Sequence, residues 1–146
     1  KGCIYNKVAS ATIPNGTRAF KGTFVGNKVD IFVYYDTKTK VVYRTKAVVS
    51  GVSKDIAEQE YSKVKNLLSQ KYVSDFDDIF VGTQGGKESV SFVSANDEGE
   101  INGLIDLFIT QDEETWVRAP YNYNLHIDYN DRINTNNHEN QQLDEI

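Results

Sequence analysis

The sequence predicts an α+β domain: an antiparallel β-meander sheet with one amphipathic helix packed on one face, in the order βββ-α-βββ. Two observations predict this class. Residues 18–50 alternate between apolar and polar side chains in three runs joined by short turns, and short connections make neighbouring strands antiparallel. Residues 53–72 then change to the 3.6-residue period of a helix.

The first three strands are predicted at residues 18–25, 28–35 and 40–50. Gly26-Asn27 is expected to form the first hairpin turn, because a two-residue turn needs residues that accept positive φ. The polar residues 36–39 have the composition of the second turn. The alternation assigns these apolar side chains to one shared face: Phe20, Phe24, Val29, Ile31, Val33, Tyr35, Val41, Tyr43, Ala47 and Val49.

The helix is expected to begin after Ser53, which is a good N-cap, with Asp55 near the positive end of the helix dipole. Its apolar stripe needs a partner surface, and the apolar face of the meander supplies one. The stripe consists of Ala57, Tyr61, Val64 and Leu68.

Further strands are predicted at residues 87–94, 100–110, 115–119 and 121–129, with a loop at 74–86. A short strand near residues 3–8 is also expected. Residues 1–132 are predicted to form a single domain. Residues 133–146 are predicted to form a polar C-terminal tail with a helical turn near 141–145.

Composition limits the classes of function. Hydrophobic residues at 39% and charged residues at 25% are typical of a globular chain, and no apolar run is long enough to span a bilayer. The net charge of −5 argues against binding to duplex nucleic acid. Residues 1–50 nevertheless carry nine Lys and Arg against two Asp, so this half is strongly basic. Either the acidic second half of the chain neutralises this positive charge within the fold, or the basic half contacts an anionic partner.

Several stretches resemble a group of small secreted or periplasmic proteins of Bacteroidales bacteria. They are residues 20–26, 33–35 and 37–43, the helix end at 67–72, and 126–129 continuing to 144–146. Members of that group carry a further helix before the position of Lys1, which implies that this chain is N-terminally incomplete. The resemblance implies an exported, envelope-associated protein, and it carries over no catalytic residue.

Motifs for metal, phosphate or acid–base chemistry are incomplete. Asp75, Asp77 and Asp78 lack the spacing of an EF-hand, and Gly82-x-x-Gly85-Gly86 lacks the Lys-Ser/Thr ending of a phosphate loop. His126 and Asp128 lie two residues apart on the polar side of a predicted strand, which is half of an acid–base site. We predict no catalytic residue, no metal ligand and no cofactor.

The face of the meander opposite the helix is the predicted binding surface. It mixes cations with aromatic rings, a combination that suits stacking on sugars or bases, or contact with an acidic protein. The alternative is that a further segment or a second copy covers these rings. The predicted binding residues are Lys21, Phe32, Tyr34, Arg44 and Lys46.

The residues favour a non-enzymatic binding or interaction domain with a protein or a glycan as partner, and the resemblance implies that it is exported to the bacterial cell envelope. The second hypothesis is a carbohydrate-binding protein that uses its tyrosine-rich strands. The third is a hydrolase built around His126 and Asp128.

Overall fold

A computed structural model describes residues 3–5, 15–72, 78–113 and 120–144. They form one antiparallel sheet and two helices, which confirms the α+β class. The strands are β1 (Ile4–Tyr5), β2 (Thr17–Phe24), β3 (Asn27–Tyr35), β4 (Val42–Val52), β5 (Asp78–Gln84), β6 (Lys87–Ala95), β7 (Ile101–Gln111) and β8 (Tyr123–Asp131); the helices are α1 (Lys54–Tyr72) and α2 (Arg132–Asp144).

The sheet consists of two four-stranded meanders joined side by side. Its strand order is β1-β2-β3-β4-β8-β7-β6-β5, so strands consecutive in sequence are neighbours within each half. The halves meet where β4 pairs antiparallel with β8. Helix α1 connects the last strand of the first half to β5 at the far edge of the second half. Strands β4 and β8 are therefore the centre of the sheet.

Helix α1 covers one face of the sheet through the predicted stripe. Ser53 accepts a hydrogen bond at its Oγ from the Ile56 N–H at 3.3 Å, as an N-cap does. The stripe residues Ala57 and Val64 are 0% and 1% exposed. They pack against strands of both halves, and the shared core contains Val29, Val49, Val90, Phe92, Ile105, Leu107, Ile109, Leu125 and Ile127.

A second contact fixes α1 to the hairpin of β6. Tyr61 donates from its hydroxyl to Glu88 Oε1 at 3.0 Å, and Lys65 Nζ lies 2.7 Å from the same oxygen. Burial of the Tyr61 ring and its hydrogen bond to the carboxylate both raise the pKa of its hydroxyl. The hydroxyl therefore stays protonated and continues to donate at neutral pH.

The first hairpin turn is Val25-Gly26, one residue earlier than predicted. Val25 has φ 51° and Gly26 has φ 82°, and a β-branched residue rarely adopts such a φ. The Val25 side chain packs against the α1 core, and its carbonyl accepts hydrogen bonds from Asn27 Nδ2 and Lys63 Nζ. Packing thus outweighs the preference of Gly-Asn for the turn.

Two predictions about the second half are wrong. Residues 78–84 form the edge strand β5 rather than a loop, because they pair along their length with β6. The polar tail contains a helix of 13 residues that continues directly from β8 and contacts β4 and β7. The predicted strand at 115–119 lies outside the described residues.

Candidate binding face

The face opposite α1, called the second face below, carries all five predicted binding residues. The registers place Phe32 beside Lys46, Tyr34 beside Arg44, and Lys21 beside Asp30. These positions alternate with those that face α1, so the predicted grouping of the five on one face is correct. Whether this face binds a partner stays a prediction.

Arg44 is already paired within the fold. Its Nε donates to Asp128 Oδ1 at 2.8 Å, and its Nη2 donates to Asp128 Oδ2, so two parallel hydrogen bonds join the side chains. The guanidinium carbon also lies 5.1 Å from the centre of the Tyr34 ring. Hydrogen bonding to Asp128 raises the pKa of Arg44. The charge of Arg44 is therefore largely compensated, unlike that of Lys46.

Lys46 belongs to a cation–aromatic stack on the second face. Its Nζ lies 5.9 Å from the centre of the Phe108 ring. Phe108 in turn stacks on His126, with ring centres 4.7 Å apart and planes 6° apart. The sequence prediction missed Phe108, although its place between Asp106 and Thr110 on the polar side of β7 could have indicated it.

His126 is a neutral imidazole at physiological pH. Burial, and then the nearby Lys46 ammonium, lower its pKa from 6.5 to about 4. Its Nε2 lies 2.6 Å from Thr110 Oγ1, while its Nδ1 is enclosed and has no hydrogen-bond partner among the described residues. Asp128 shares its face with His126, but both oxygens of Asp128 are bound by Arg44. The two residues are neighbours without forming an acid–base pair.

Helix α2 closes one end of the second face. Thr135 is buried and donates from its hydroxyl to Asn130 Oδ1 at 2.7 Å. His138 stacks on Tyr43 at 4.4 Å between ring centres, and its Nδ1 lies 2.8 Å from Asp36 Oδ2. Hydrogen bonds from the Thr39 backbone and from His138 lower the pKa of the buried Asp36 carboxyl.

Tyr43 was expected under α1, but it contacts α2 instead. The register of β3 and β4 shifts between Tyr34 and Tyr35, so the alternation predicted for residues 40–50 does not hold at the start of β4. The Tyr43 ring lies 6.5 Å from that of Tyr34. Tyr43 therefore supports the helix directly, and Tyr34 packs beside Tyr43.

The opposite end of the second face contains two hollows. One has a volume of about 660 Å³ and is lined by Tyr121, Asn124 and His126 among others. The other, of about 570 Å³, is lined by Lys21 and Lys28 among others. Ser50 lines both.

The tyrosines of the last strand region do not form a single platform. Tyr123 packs against the α1 core, while Tyr129 pairs in register with Ile105 on the same face as α1. Tyr121, which is 61% exposed, lines the larger hollow. Of these three rings, Tyr121 alone borders a concave surface of the second face.

The acidic and glycine-rich stretches have structural roles where the structure describes them. Asn96 Oδ1 accepts hydrogen bonds from the N–H groups of Glu98 and Glu100, which closes the β6–β7 turn. Gly85 and Gly86 form the β5–β6 turn at positive φ. Asp75 and Asp77 lie outside the described residues. Within the described ranges, no three His, Cys, Asp or Glu side chains are grouped as metal ligands would be.

Comparison with known proteins gives no relative from which a role could be carried over: no family model, curated protein or solved structure matches this chain. Neither described helix is long and apolar enough to cross a membrane.

Proposed function

We propose that this protein is a non-enzymatic binding domain of the bacterial cell envelope and that its second face holds the ligand. The observation that supports this is the stack of Lys46, Phe108 and His126 on the central and neighbouring strands. Each member is fixed by rigid strands, and a site on strands is held more firmly than one on loops. An exported setting rests on the resemblance to secreted and periplasmic proteins of Bacteroidales.

The geometry favours binding over catalysis. A general base must reach its substrate with a free nitrogen, but one His126 nitrogen contacts Thr110 and the other is enclosed. The neighbouring carboxylate of Asp128 is held by Arg44 and does not orient the imidazole, because His126 Nδ1 has no hydrogen-bond partner among the described residues and Nε2 contacts Thr110. The hydrolase hypothesis therefore has the weakest support of the three.

Lys46 gives the second face its preference for an anionic or hydroxyl-rich partner. Its ammonium lies over an aromatic ring and forms no ion pair with a carboxylate among the described residues, so its charge is available to a ligand. Such a contact should weaken as salt rises, because exposed charges are screened over about 10 Å at 0.1 M ionic strength.

An array carrying neutral oligosaccharides, acidic oligosaccharides and acidic peptides tests the proposal. We expect at least one class to bind, and Lys46→Ser to weaken that binding at 0.05 M salt more than at 0.5 M. Lys54→Ser is the matched control, because Lys54 lies on α1 with 57% of its side chain exposed. An array without any binding, or binding that Lys46→Ser and Lys54→Ser change equally, would show that the second face is not a binding surface.

Fractionation of cells that carry the full-length gene tests the exported setting. The protein should appear in the periplasmic, outer-membrane or culture fraction. Recovery with cytoplasmic marker enzymes would contradict that part of the proposal without affecting the binding experiment.

A further inference from the structure

The two hollows of the second face lie side by side across the centre of the sheet, and together they are called the groove below. Both are lined by Ser50, on β4. From there one extends over β3 to Lys21 on β2, and the other extends over β8 to Asp112, just beyond β7. Four strand spacings separate β2 from β7 in the order β2-β3-β4-β8-β7, which gives the groove a length of about 19 Å.

The groove lies at the end of the sheet that α2 leaves uncovered. Helix α2 binds Asn130 near the end of β8, whereas the groove contains Asn124 near the start of that strand. On β4, Arg44 pairs with Asn130 in the covered part, and Ser50 lies six residues further along the strand. The helix and the groove therefore divide the second face between them.

The lining of the larger hollow suits a ligand rich in hydroxyl groups. It combines the Ser50 hydroxyl, the Asn124 amide and the Asp112 carboxylate with the exposed ring of Tyr121. The Asn124 amide is oriented, because its Oδ1 accepts a hydrogen bond from the Gly51 N–H at 3.2 Å. Fixed polar groups beside an aromatic face can bind the hydroxyl groups and the apolar side of a sugar ring together.

The smaller hollow adds a basic end. Lys21 and Lys28 line it, and Asp30 is the one carboxylate among its described lining residues. The net positive charge of these three side chains favours an anionic group on the ligand here. The groove thus has a polar, aromatic half and a cationic half.

We infer that the groove binds an extended oligosaccharide, with a sugar ring on Tyr121 and an acidic substituent beside Lys21 and Lys28. This inference rests on the proposed binding function and specifies its ligand. A ligand of this kind would lie across the strands, over Ser50, rather than along them.

Isothermal titration with two hexasaccharides, a neutral glucan and a galacturonate oligomer, tests the inference on the chain as it stands. We expect the acidic hexasaccharide to bind more tightly, and Tyr121→Ala to weaken binding of both by roughly tenfold, as the loss of an aromatic anchor does. Tyr129→Ala is the matched control, because Tyr129 is 45% exposed on the opposite face, and it should leave both affinities unchanged.

A double change, Lys21→Ser with Lys28→Ser, should remove the difference between the two hexasaccharides while preserving binding of the neutral one. Ser50→Trp should block both, since it fills the point where the hollows meet. Circular dichroism of each variant shows whether it is folded. If Ser50→Trp does not fold, the double lysine variant still tests the inference.

The outcomes separate this inference from the proposed function. Hexasaccharide binding that is insensitive to Tyr121→Ala but weakened by Lys46→Ser would refute the groove and retain the second face. Binding of acidic peptides alone, weakened by Lys46→Ser, would show that the ligand class is wrong. The absence of any ligand for the second face would overturn both proposals.

Discussion

Arg44 and Asp128 are 84 positions apart in the sequence, and two parallel hydrogen bonds join them across the central strands β4 and β8. Asp128 is the more enclosed partner, with 10% of its side chain exposed against 35% for Arg44. The pair links the two four-stranded halves of the sheet on the second face.

Arg44→Ser should therefore destabilise the protein, by about 2 kcal/mol, because it leaves an enclosed carboxylate without its charged partner. Lys46→Ser, two positions along the same strand, should change the free energy of unfolding by less than about 0.5 kcal/mol. Urea titration of both variants measures the difference. Equal effects would mean that the ion pair contributes nothing, and a double-mutant cycle with Asp128→Asn would then show no coupling.

Leu68→Asp should lower the free energy of unfolding by about 4 kcal/mol or more, because it places a charge in the contact between α1 and the sheet. Leu68 is 8% exposed, whereas the adjacent Leu67 is 43% exposed and provides the control. Leu67→Asp should cost less than about 1 kcal/mol. A melting temperature that Leu68→Asp leaves unchanged would show that α1 does not dock through its predicted stripe.

Stability should fall as the pH is lowered from 6.5 towards 4, because of His126. Folding lowers the pKa of His126 from 6.5 to about 4, so over this range the unfolded chain takes up a proton that the folded chain does not. The stabilisation is complete above pH 6.5 and is lost as the pH falls through this range. His126→Phe, which preserves a ring against Phe108, should flatten the pH dependence of urea unfolding over this window. An identical slope in the variant would contradict the assignment.

His138→Ala should release α2 from the end of the sheet. The substitution removes the ring that stacks on Tyr43 and the partner of Asp36, and ring stacking alone contributes about 1 kcal/mol. Amide hydrogen exchange should accelerate in α2 while the strands stay protected. Asn136→Ala, at an exposed position of the same helix, should leave exchange unchanged. Uniform acceleration in both variants would show that His138 does not hold the helix.

Protonation of Asp36 in acid should weaken its contact with His138, at a lower pH than the protonation of His126. The pKa of Asp36 is lowered in the folded protein, so its stabilising effect is complete above its ordinary value of 3.8 and is lost as the pH falls through the folded value. Asp36→Asn should remove this contribution. Exchange in α2 that is indifferent to both acid and this substitution would contradict the role of Asp36.

Local pattern was sufficient for the α+β class and for the buried stripe of α1. Ala57, Tyr61, Val64 and Leu68 recur at helical spacing, and helical spacing alone places them on one side. Strand alternation likewise placed Lys21, Phe32, Tyr34, Arg44 and Lys46 together, because side chains on a strand point in turn to opposite faces.

Pairing between distant segments decided what the alternation left open. Residues 78–84 carry three adjacent exposed apolar residues, Ile79, Phe80 and Val81, and become a strand through their ladder with β6. Helix α2 has a polar sequence with Thr135 as its buried residue, so it has no apolar stripe from which the helix could be predicted. Its position depends on contacts with Tyr43, Asp36 and Asn130, which other elements supply.

The candidate site shows the same division. The sequence determined which side chains could share the second face, because parity along a strand is a local property. Only the tertiary structure decided which of these side chains are paired within the fold, since Asp128 reaches Arg44 through the pairing of β4 with β8. That pairing also places Ser50 and Asn124 in the larger hollow. The register between two strands distant in the sequence cannot be read from either strand alone.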